Sequence, residues 1–257
     1  MTDSNKVKYC YRLRPMNDLT IDELNNHYLW FSKRNGFKDK FDANIGAFIE
    51  DTSQIERGLQ LRYTEEGIRK IVRQMDNIGI CCFTKKLPQR KNLRCFPNGT
   101  KSICIEYNQR MLEDFFLNSK FALAYPFKNV MYSKEPTKIE SDGSYHILTK
   151  KHKDGCEYSS IYDIFSDIRK VDKLFDLLLP RINERYEKQK EMRIILGGRI
   201  LEYLDVSQYG YKIVIPEDAV SKVYIFTDPK SSFCQGLKRI DYLKDKMEII
   251  PNSLNIL

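Results

Sequence analysis

The chain has 257 residues and a formal net charge of +8, with 42% hydrophobic and 30% charged residues. This length and composition are typical of a globular protein with a substantial core, which excludes an intrinsically disordered chain. No run approaches the roughly 18 apolar residues of a membrane span, and residues 1–6 lack the apolar core of a signal peptide. We therefore predict a cytoplasmic protein that does not associate with a membrane.

The first elements are a strand and a capped helix. Residues 7–14 alternate apolar and polar side chains, which predicts a strand. Thr20 and Glu23 have the spacing of a capping box, so a helix is predicted to begin at Thr20 and to run to about His27. Residues 28–32 form a compact apolar run and are predicted as the second strand.

The rest of the chain predicts an alternation of helices and strands. Continuous apolar character in two of the strands, 79–83 and 102–107, places them centrally in a sheet. We predict a single α+β domain over residues 1–257, with a central mixed or antiparallel sheet and helical insertions near 51–76 and 157–188. The other predicted elements are a loop at 37–42, a helical segment at 51–75, a helix at 109–116, a strand near 121–132, a polar stretch at 133–154, a helix at 161–179, strands at 212–215 and 223–226, and a closing helix near 236–246.

The cysteines indicate a reducing compartment. There are seven, an odd number, and most lie inside apolar runs such as 80–83 and 103–105. This pattern predicts buried thiols. No Cys-x-x-Cys pair is present, and no histidine stands beside a cysteine pair, so no metal site is predicted.

Two distant segments carry residues that are costly to bury without a partner. Arg14 ends the first strand, and Glu191 lies in the late segment 189–193, which we predict to be a strand with Gln189 and Glu191 on one face. An arginine and a carboxylate on neighbouring strands suit a phosphate-bearing cofactor and a developing positive charge. The structural alternative is an ion pair of Glu191 with Arg193 or Arg14, which needs no ligand.

The order of these segments resembles a widespread bacterial family of unknown function. The family has an Arg-ended first strand, a Phe-Asn-Asp-Pro-Phe-Glu-like loop and a late Glu-x-Glu-Trp-Arg-like strand. This chain departs from it at Lys38 and Lys40, where Asn and Pro are typical, and at residues 92–96, which lack the family's Met-Trp-x-His-Tyr stretch. The matching segments are Tyr11–Pro15, Trp30–Ser32, Phe37–Asp42, Ile80–Phe83, Ile103–Tyr107 and Glu191–Arg193.

That order also resembles the order of elements in ADP-ribosyltransferases. The resemblance implies an ADP-ribosyltransferase-like fold with NAD as cofactor, and a transferase or NAD glycohydrolase that acts as a toxin or phage-defence effector on a nucleic acid or protein acceptor. The resemblance implies that Arg14 binds the pyrophosphate or ribose with support from Ser32, and that Tyr11 or Phe31 stacks on the nicotinamide. It implies that Glu191 and Gln189 are the catalytic residues. Asp39 and Asp42 would contact the acceptor. Asp39 and Asp42 are equally suited to capping backbone amides.

Basic loops support a second hypothesis. Basic residues are concentrated at 85–101 and 148–153, a pattern that is also typical of solvated loops. The missing Trp-His stretch favours a noncatalytic module with a degenerate active site, which would bind nucleic acid or a protein partner with an affinity that falls steeply with salt. The sequence gives no indication of the oligomeric state. The candidate nucleic-acid-binding residues are Lys85, Lys86, Arg90, Lys91 and Arg94.

Overall fold

The computed structural model describes residues 7–33, 78–119, 126–133, 144–148, 156–160, 181–196 and 209–250. The predictions for residues 37–42, with Asp39 and Asp42, and for residues 51–76, 149–153 and 161–179 lie outside these ranges. The strands are β1 (Tyr9–Pro15), β2 (Tyr28–Lys33), β3 (Gly79–Thr84), β4 (Ser102–Asn108), β5 (Lys128–Asn129), β6 (Met131–Ser133), β7 (Ser144–Leu148), β8 (Cys156–Ser160), β9 (Arg181–Asn183), β10 (Glu191–Leu196), β11 (Gly210–Val214), β12 (Val220–Ile225) and β13 (Met247–Ile249). The helices are α1 (Asp18–Asn25), α2 (Gln109–Asn118) and α3 (Ser232–Leu237), with 3-10 helices at Arg90–Cys95, Glu184–Gln189, Glu217–Ala219 and Asp241–Leu243.

Nine of these strands form one mixed sheet. Seven lie in the order β11-β2-β3-β1-β4-β12-β13, while β10 pairs with β3, and β5 pairs with β10. All of the pairs are antiparallel except β12 with β13, which are parallel. Two further pairs, β6 with β9 and β7 with β8, form separate two-stranded sheets. The predicted α+β fold is confirmed.

The sheet is split along one edge of β3. Strand β10 pairs with all six residues of β3 and so occupies one of its two edges. Strands β1 and β2 share the other edge, because Thr84 pairs with Tyr11 of β1 while Ile80 pairs with Ser32 of β2. The two strands therefore diverge beside the middle of β3, and buried backbone groups in the split need other partners.

The two faces of the sheet carry different layers. One face, the helix face, holds the main core, in which Leu24 of α1, Phe116 of α2 and Leu237 of α3 pack against the strands. The opposite face carries a smaller cluster, in which Leu93 of the 3-10 helix Arg90–Cys95 packs with Cys104 and Tyr224. Successive strand residues point to alternate faces, and directly paired residues share a face. Register alone therefore assigns each strand side chain to a layer.

Most of the predicted elements within the described ranges are confirmed, and the closing helix is wrong. The strands predicted at the positions of β1, β2, β3, β4, β11 and β12 and the helix at α2 are present. The described part of the strand predicted near 121–132 contains the short β5 and β6, and the described part of the polar stretch at 133–154 contains β7. The closing helix predicted near 236–246 is wrong, because α3 ends at Leu237 and a 3-10 turn follows. The buried residues Leu237, Ile240 and Leu243 recur every three positions, which fits a 3-10 conformation better than an α-helix.

The start of α1 also differs from the prediction. The N-cap is Asn17, whose side-chain oxygen accepts a hydrogen bond from the backbone N–H of Thr20 at 3.1 Å. The Thr20 hydroxyl donates instead to the Pro15 carbonyl oxygen at 2.6 Å. The capping-box pattern at Thr20 and Glu23 was therefore misleading, because Glu23 is used in the ion pairs described below.

Asn17→Ala is expected to lower the free energy of unfolding by about 1 kcal/mol, since it removes this cap from the first turn. Asn17→Asp keeps a side-chain acceptor and is expected to retain most of the stability. Urea unfolding of both variants measures the effect. An unchanged Asn17→Ala variant would contradict this cap assignment.

Candidate functional site

Two arginines of β1 meet one glutamate of α1 on the helix face. Arg12 donates hydrogen bonds to the Glu23 carboxylate and to the Trp30 carbonyl oxygen, the latter at 2.7 Å. The Nε atom of Arg14 lies 2.6 Å from the second carboxylate oxygen of Glu23. Since Trp30 belongs to β2, the Arg12 guanidinium bridges the split between β1 and β2. The cluster therefore has a structural role in closing the sheet.

This cluster carries more positive than negative charge. Glu23 is 1% exposed and is the carboxylate shared by both guanidinium groups. Burial and the neighbouring charge of Arg12 lower the pKa of Arg14, and Glu23 opposes that shift. The Arg14 Nε has no hydrogen bond of good geometry within the described ranges, although it is close to Glu23. Loss of Glu23 would leave the buried Arg12 and the partly buried Arg14 without their shared counter-ion.

Glu191 forms a second buried ion pair with Arg193. The Nε atom of Arg193 donates to the Glu191 carboxylate at 2.5 Å, and the two side chains are 0% and 8% exposed. The backbone N–H of Glu191 donates to the Tyr132 hydroxyl at 2.7 Å. The ion pair of Glu191 with Arg193 that the sequence suggested as the structural alternative is present.

The structure does not bring Arg14 and Glu191 together. Tyr11, Thr84 and Glu191 are paired in one row across β1, β3 and β10, so Glu191 and Tyr11 share a face. Arg14 is three residues from Tyr11 on β1, which places it on the other face. The arginine lies on the helix face and the carboxylate on the opposite face, each beside its own counter-ion.

Gln189 does not share a strand with Glu191, so that prediction is wrong. Gln189 ends a 3-10 helix, and Lys190 has a positive φ of 47°, which turns the chain before β10 begins. The side-chain amide of Gln189 donates to the Cys95 carbonyl oxygen at 2.6 Å, and the backbone carbonyl oxygen of Gln189 accepts from the Thr84 hydroxyl at 2.6 Å. Gln189 therefore ties two distant segments together, a role that its position in the sequence did not indicate.

The three other predicted cofactor contacts are also dispersed. Phe31 is fully buried on the helix face and packs edge-on against Phe116, with ring centroids 5.9 Å apart. Ser32 is a half-buried residue of β2 that pairs with Ile80 and Gly210 on its two sides. Tyr11 lies on the opposite face, 6.5 Å from the ring of Tyr224. Phe31 and Tyr11 therefore cannot stack on the same ring.

Burial affects the chemistry of three cysteine thiols, Cys10, Cys81 and Cys104. Cys10, Cys81, Cys104 and Cys234 are buried, as the sequence predicts. Burial raises the pKa of the Cys81 thiol to about 12 and raises the pKa values of Cys10 and Cys104 as well. A thiol with such a raised pKa is a poor nucleophile at neutral pH.

The predicted nucleic-acid residues lie together in the connection between β3 and β4. We call residues 85–101 the basic segment. It contains six basic residues and no acidic one, so it carries +6 of the chain's net charge of +8. Lys86, Lys91, Arg94 and Lys101 are exposed and make no ion pair with any residue that the structure describes. The six basic residues are Lys85, Lys86, Arg90, Lys91, Arg94 and Lys101.

The basic segment is fixed to the sheet and is not a loose solvated loop. Leu93 is fully buried in the small cluster on the opposite face, and Pro88 is also buried. The Gln189 side chain holds the Cys95 carbonyl, and the Lys85 N–H donates to the Lys190 carbonyl oxygen at 3.2 Å. These contacts present the cations on a defined scaffold, which limits the ordering cost of binding an anionic partner.

One donor of the basic segment lacks an acceptor. The Arg90 Nη1 atom is buried and makes no hydrogen bond in the described part of the chain. A buried donor without a partner costs free energy unless an acceptor arrives from outside. Arg90 is thus a candidate for contact with an anionic ligand.

The described ranges contain neither a metal-binding cluster nor a membrane-spanning helix. No three His, Cys, Asp or Glu side chains there are placed to hold a metal ion. No helix in those ranges is both long enough and apolar enough to cross a bilayer.

Comparisons with known proteins add no relative. No protein-family model, curated protein or solved structure matches this chain. The resemblance to the bacterial family and to ADP-ribosyltransferases therefore stays a prediction.

Proposed function

We propose that the chain is a noncatalytic module that binds nucleic acid through the basic segment. The observation that carries this proposal is a concentration of +6 charge in 17 residues, residues 85–101, on an anchored backbone without a carboxylate. Lys86, Lys91, Arg94 and Lys101 of this segment are exposed and form no ion pair with a described residue, so they create a local positive potential. Such a potential attracts nucleic acids, because Lys and Arg side chains neutralise the phosphates of their backbone.

The dinucleotide-dependent transferase is less well supported by this geometry. Its mechanism needs a carboxylate that the ribose can reach. The Glu191 carboxylate is buried and is paired with Arg193 at 2.5 Å. Binding of the cofactor would also need Arg14 close to Glu191. Arg14 lies on the other face of the sheet, beside Glu23. The transferase stays a prediction. Nicotinamide release from NAD that Glu191→Gln abolishes in a folded variant would establish it and contradict the noncatalytic proposal.

A charge-removal variant tests the binding proposal. Lys86→Ala, Lys91→Ala and Arg94→Ala together remove three cations whose contacts with phosphate each release counter-ions. At about 0.1 M salt we expect at least roughly 100-fold weaker binding to a fluorescently labelled oligonucleotide. Fluorescence anisotropy measures the affinity.

The matched control removes the same charge elsewhere. Lys230, Lys238 and Arg239 are exposed residues around α3, outside the basic segment. Their triple alanine variant is expected to bind within a few-fold of wild type, because general charge acts only weakly at a distance in salt. Equal losses in the two triple variants, or no binding by the wild-type chain, would overturn the proposal.

A further inference from the structure

We propose that the nucleic acid is single-stranded and that its bases stack on Tyr9 and Tyr11 of β1. This inference rests on the proposed function and specifies its ligand. Tyr9 and Tyr11 are two residues apart on one strand, so they point to the same face and lie roughly 7 Å apart. Tyr9 is 37% exposed, and Tyr11 is half-buried. Two aromatic rings therefore stand side by side at the surface of the sheet.

The tyrosines are next to the basic segment. Tyr11 pairs with Thr84, which immediately precedes the first residue of that segment. Tyr11 also packs against the small cluster that contains Leu93 and Leu87 of the basic segment. A strand whose phosphates contact these cations would therefore have its bases within reach of β1.

Packing and a neighbouring carboxylate define the surroundings of the Tyr11 ring. Glu106 is 6% exposed, is paired with Tyr11 across β1 and β4, and accepts a hydrogen bond from the Tyr224 hydroxyl at 2.8 Å. Burial together with this carboxylate raises the pKa of Tyr11 to about 12, so the phenol is neutral at physiological pH. Because the Tyr11 ring already packs against the small cluster, it loses little side-chain entropy when a base stacks on it.

The acidic groups of this face limit where phosphates can lie. Glu106 lies on β4 beside Tyr11, and Glu248 forms an ion pair with Lys222 at 3.0 Å. Like charge disfavours phosphates over β4 and β13, whereas the basic segment on the other side of Tyr11 attracts them. This arrangement separates a phosphate track from a base platform.

The chemistry of stacking selects single strands. Bases in a duplex are already stacked on each other, whereas unpaired bases expose their faces to aromatic side chains. Stacking tolerates any base, so we expect little sequence preference. DNA and RNA share this chemistry, and the test below includes both.

The test compares affinities for single strands and duplexes. Fluorescence anisotropy is measured with labelled DNA and RNA strands of about 12 nucleotides, within the usual site size of such surfaces, and with the matching duplexes. The variants are Tyr9→Leu with Tyr11→Leu, which keeps apolar packing but removes the rings, and Tyr9→Phe with Tyr11→Phe, which keeps the rings. Tyr209, which is 66% exposed and precedes β11, provides the control Tyr209→Leu.

We expect the wild-type chain to prefer single strands. The double leucine variant, Tyr9→Leu with Tyr11→Leu, should lose on the order of 10-fold or more in single-strand affinity. Its duplex affinity should not change. The double phenylalanine variant and Tyr209→Leu should bind both ligands as the wild type does. Equal single-strand binding by the double leucine variant overturns the stacking inference. If the triple alanine variant of the basic segment still weakens binding in that case, the proposed function stands without the stacking inference. If the wild-type chain binds no nucleic acid, both the proposed function and the stacking inference are wrong. If the double leucine variant does not fold, Tyr9→Leu alone gives the decisive comparison, because Tyr9 is exposed.

Discussion

Replacing Glu23 with glutamine is expected to lower the free energy of unfolding by about 3–5 kcal/mol. Glu23 is buried between Arg12 and Arg14, and the substitution leaves both guanidinium groups without a negative partner. The loss should be large because Arg12 also bridges β1 to the Trp30 carbonyl of β2 at the split in the sheet. Urea unfolding of the variant and the wild type measures the difference.

An exposed glutamate provides the matched control. Glu248 pairs with Lys222 at 3.0 Å, but both side chains are about half exposed, so Glu248→Gln is expected to change stability by less than about 1 kcal/mol. Adding Arg14→Met to Glu23→Gln removes one uncompensated cation and should recover part of the loss. If Glu23→Gln and Glu248→Gln unfold at the same urea concentration, the buried cluster does not close the sheet as described.

Arg193→Met is expected to cost a similar amount, about 3–5 kcal/mol. The substitution keeps the apolar volume of a fully buried side chain but leaves the Glu191 carboxylate in the protein interior without its cation. Desolvation of an unpaired carboxylate is the physical cause of the loss. The same unfolding measurement applies.

The control for this second variant is Arg110→Met on α2. Arg110 lies 4.0 Å from Asp114, and both side chains are largely exposed, so we expect an effect below about 1 kcal/mol. A stable Arg193→Met protein would mean that Glu191 tolerates the loss of its partner. That result would remove the main structural argument against a catalytic role for Glu191.

The sequence predicted where Arg14 and Glu191 lie along their strands but not which way they point. Apolar alternation located β1 and a continuous apolar run located β4, because both patterns are visible within one strand. The relative face of two distant strands depends on register, which is set by tertiary pairing such as Tyr11 with Thr84 and Thr84 with Glu191. One residue of register reverses the face of a whole strand. This is why locating the two strands did not reveal that Arg14 and Glu191 lie on different faces of the sheet.

Local signals also competed with contacts from far along the chain. The capping-box pattern at Thr20 was overridden because Glu23 pairs with the two arginines of β1. The basic residues were visible in the sequence, but the anchor that orders them was not. Gln189 reaches the Cys95 carbonyl across 94 positions, and no local pattern predicts such a contact.

The salt dependence of binding tests the central claim most directly. The wild-type chain and its two triple alanine variants are titrated with one labelled single-stranded oligonucleotide over a series of salt concentrations. Each lost phosphate contact lowers the steepness of log K against log salt by roughly 0.7 to 0.9. We predict that Lys86→Ala with Lys91→Ala and Arg94→Ala reduces the slope by about 2 to 3, while the control at Lys230, Lys238 and Arg239 leaves it unchanged. A slope that is the same in all three proteins would contradict nucleic-acid binding through the basic segment.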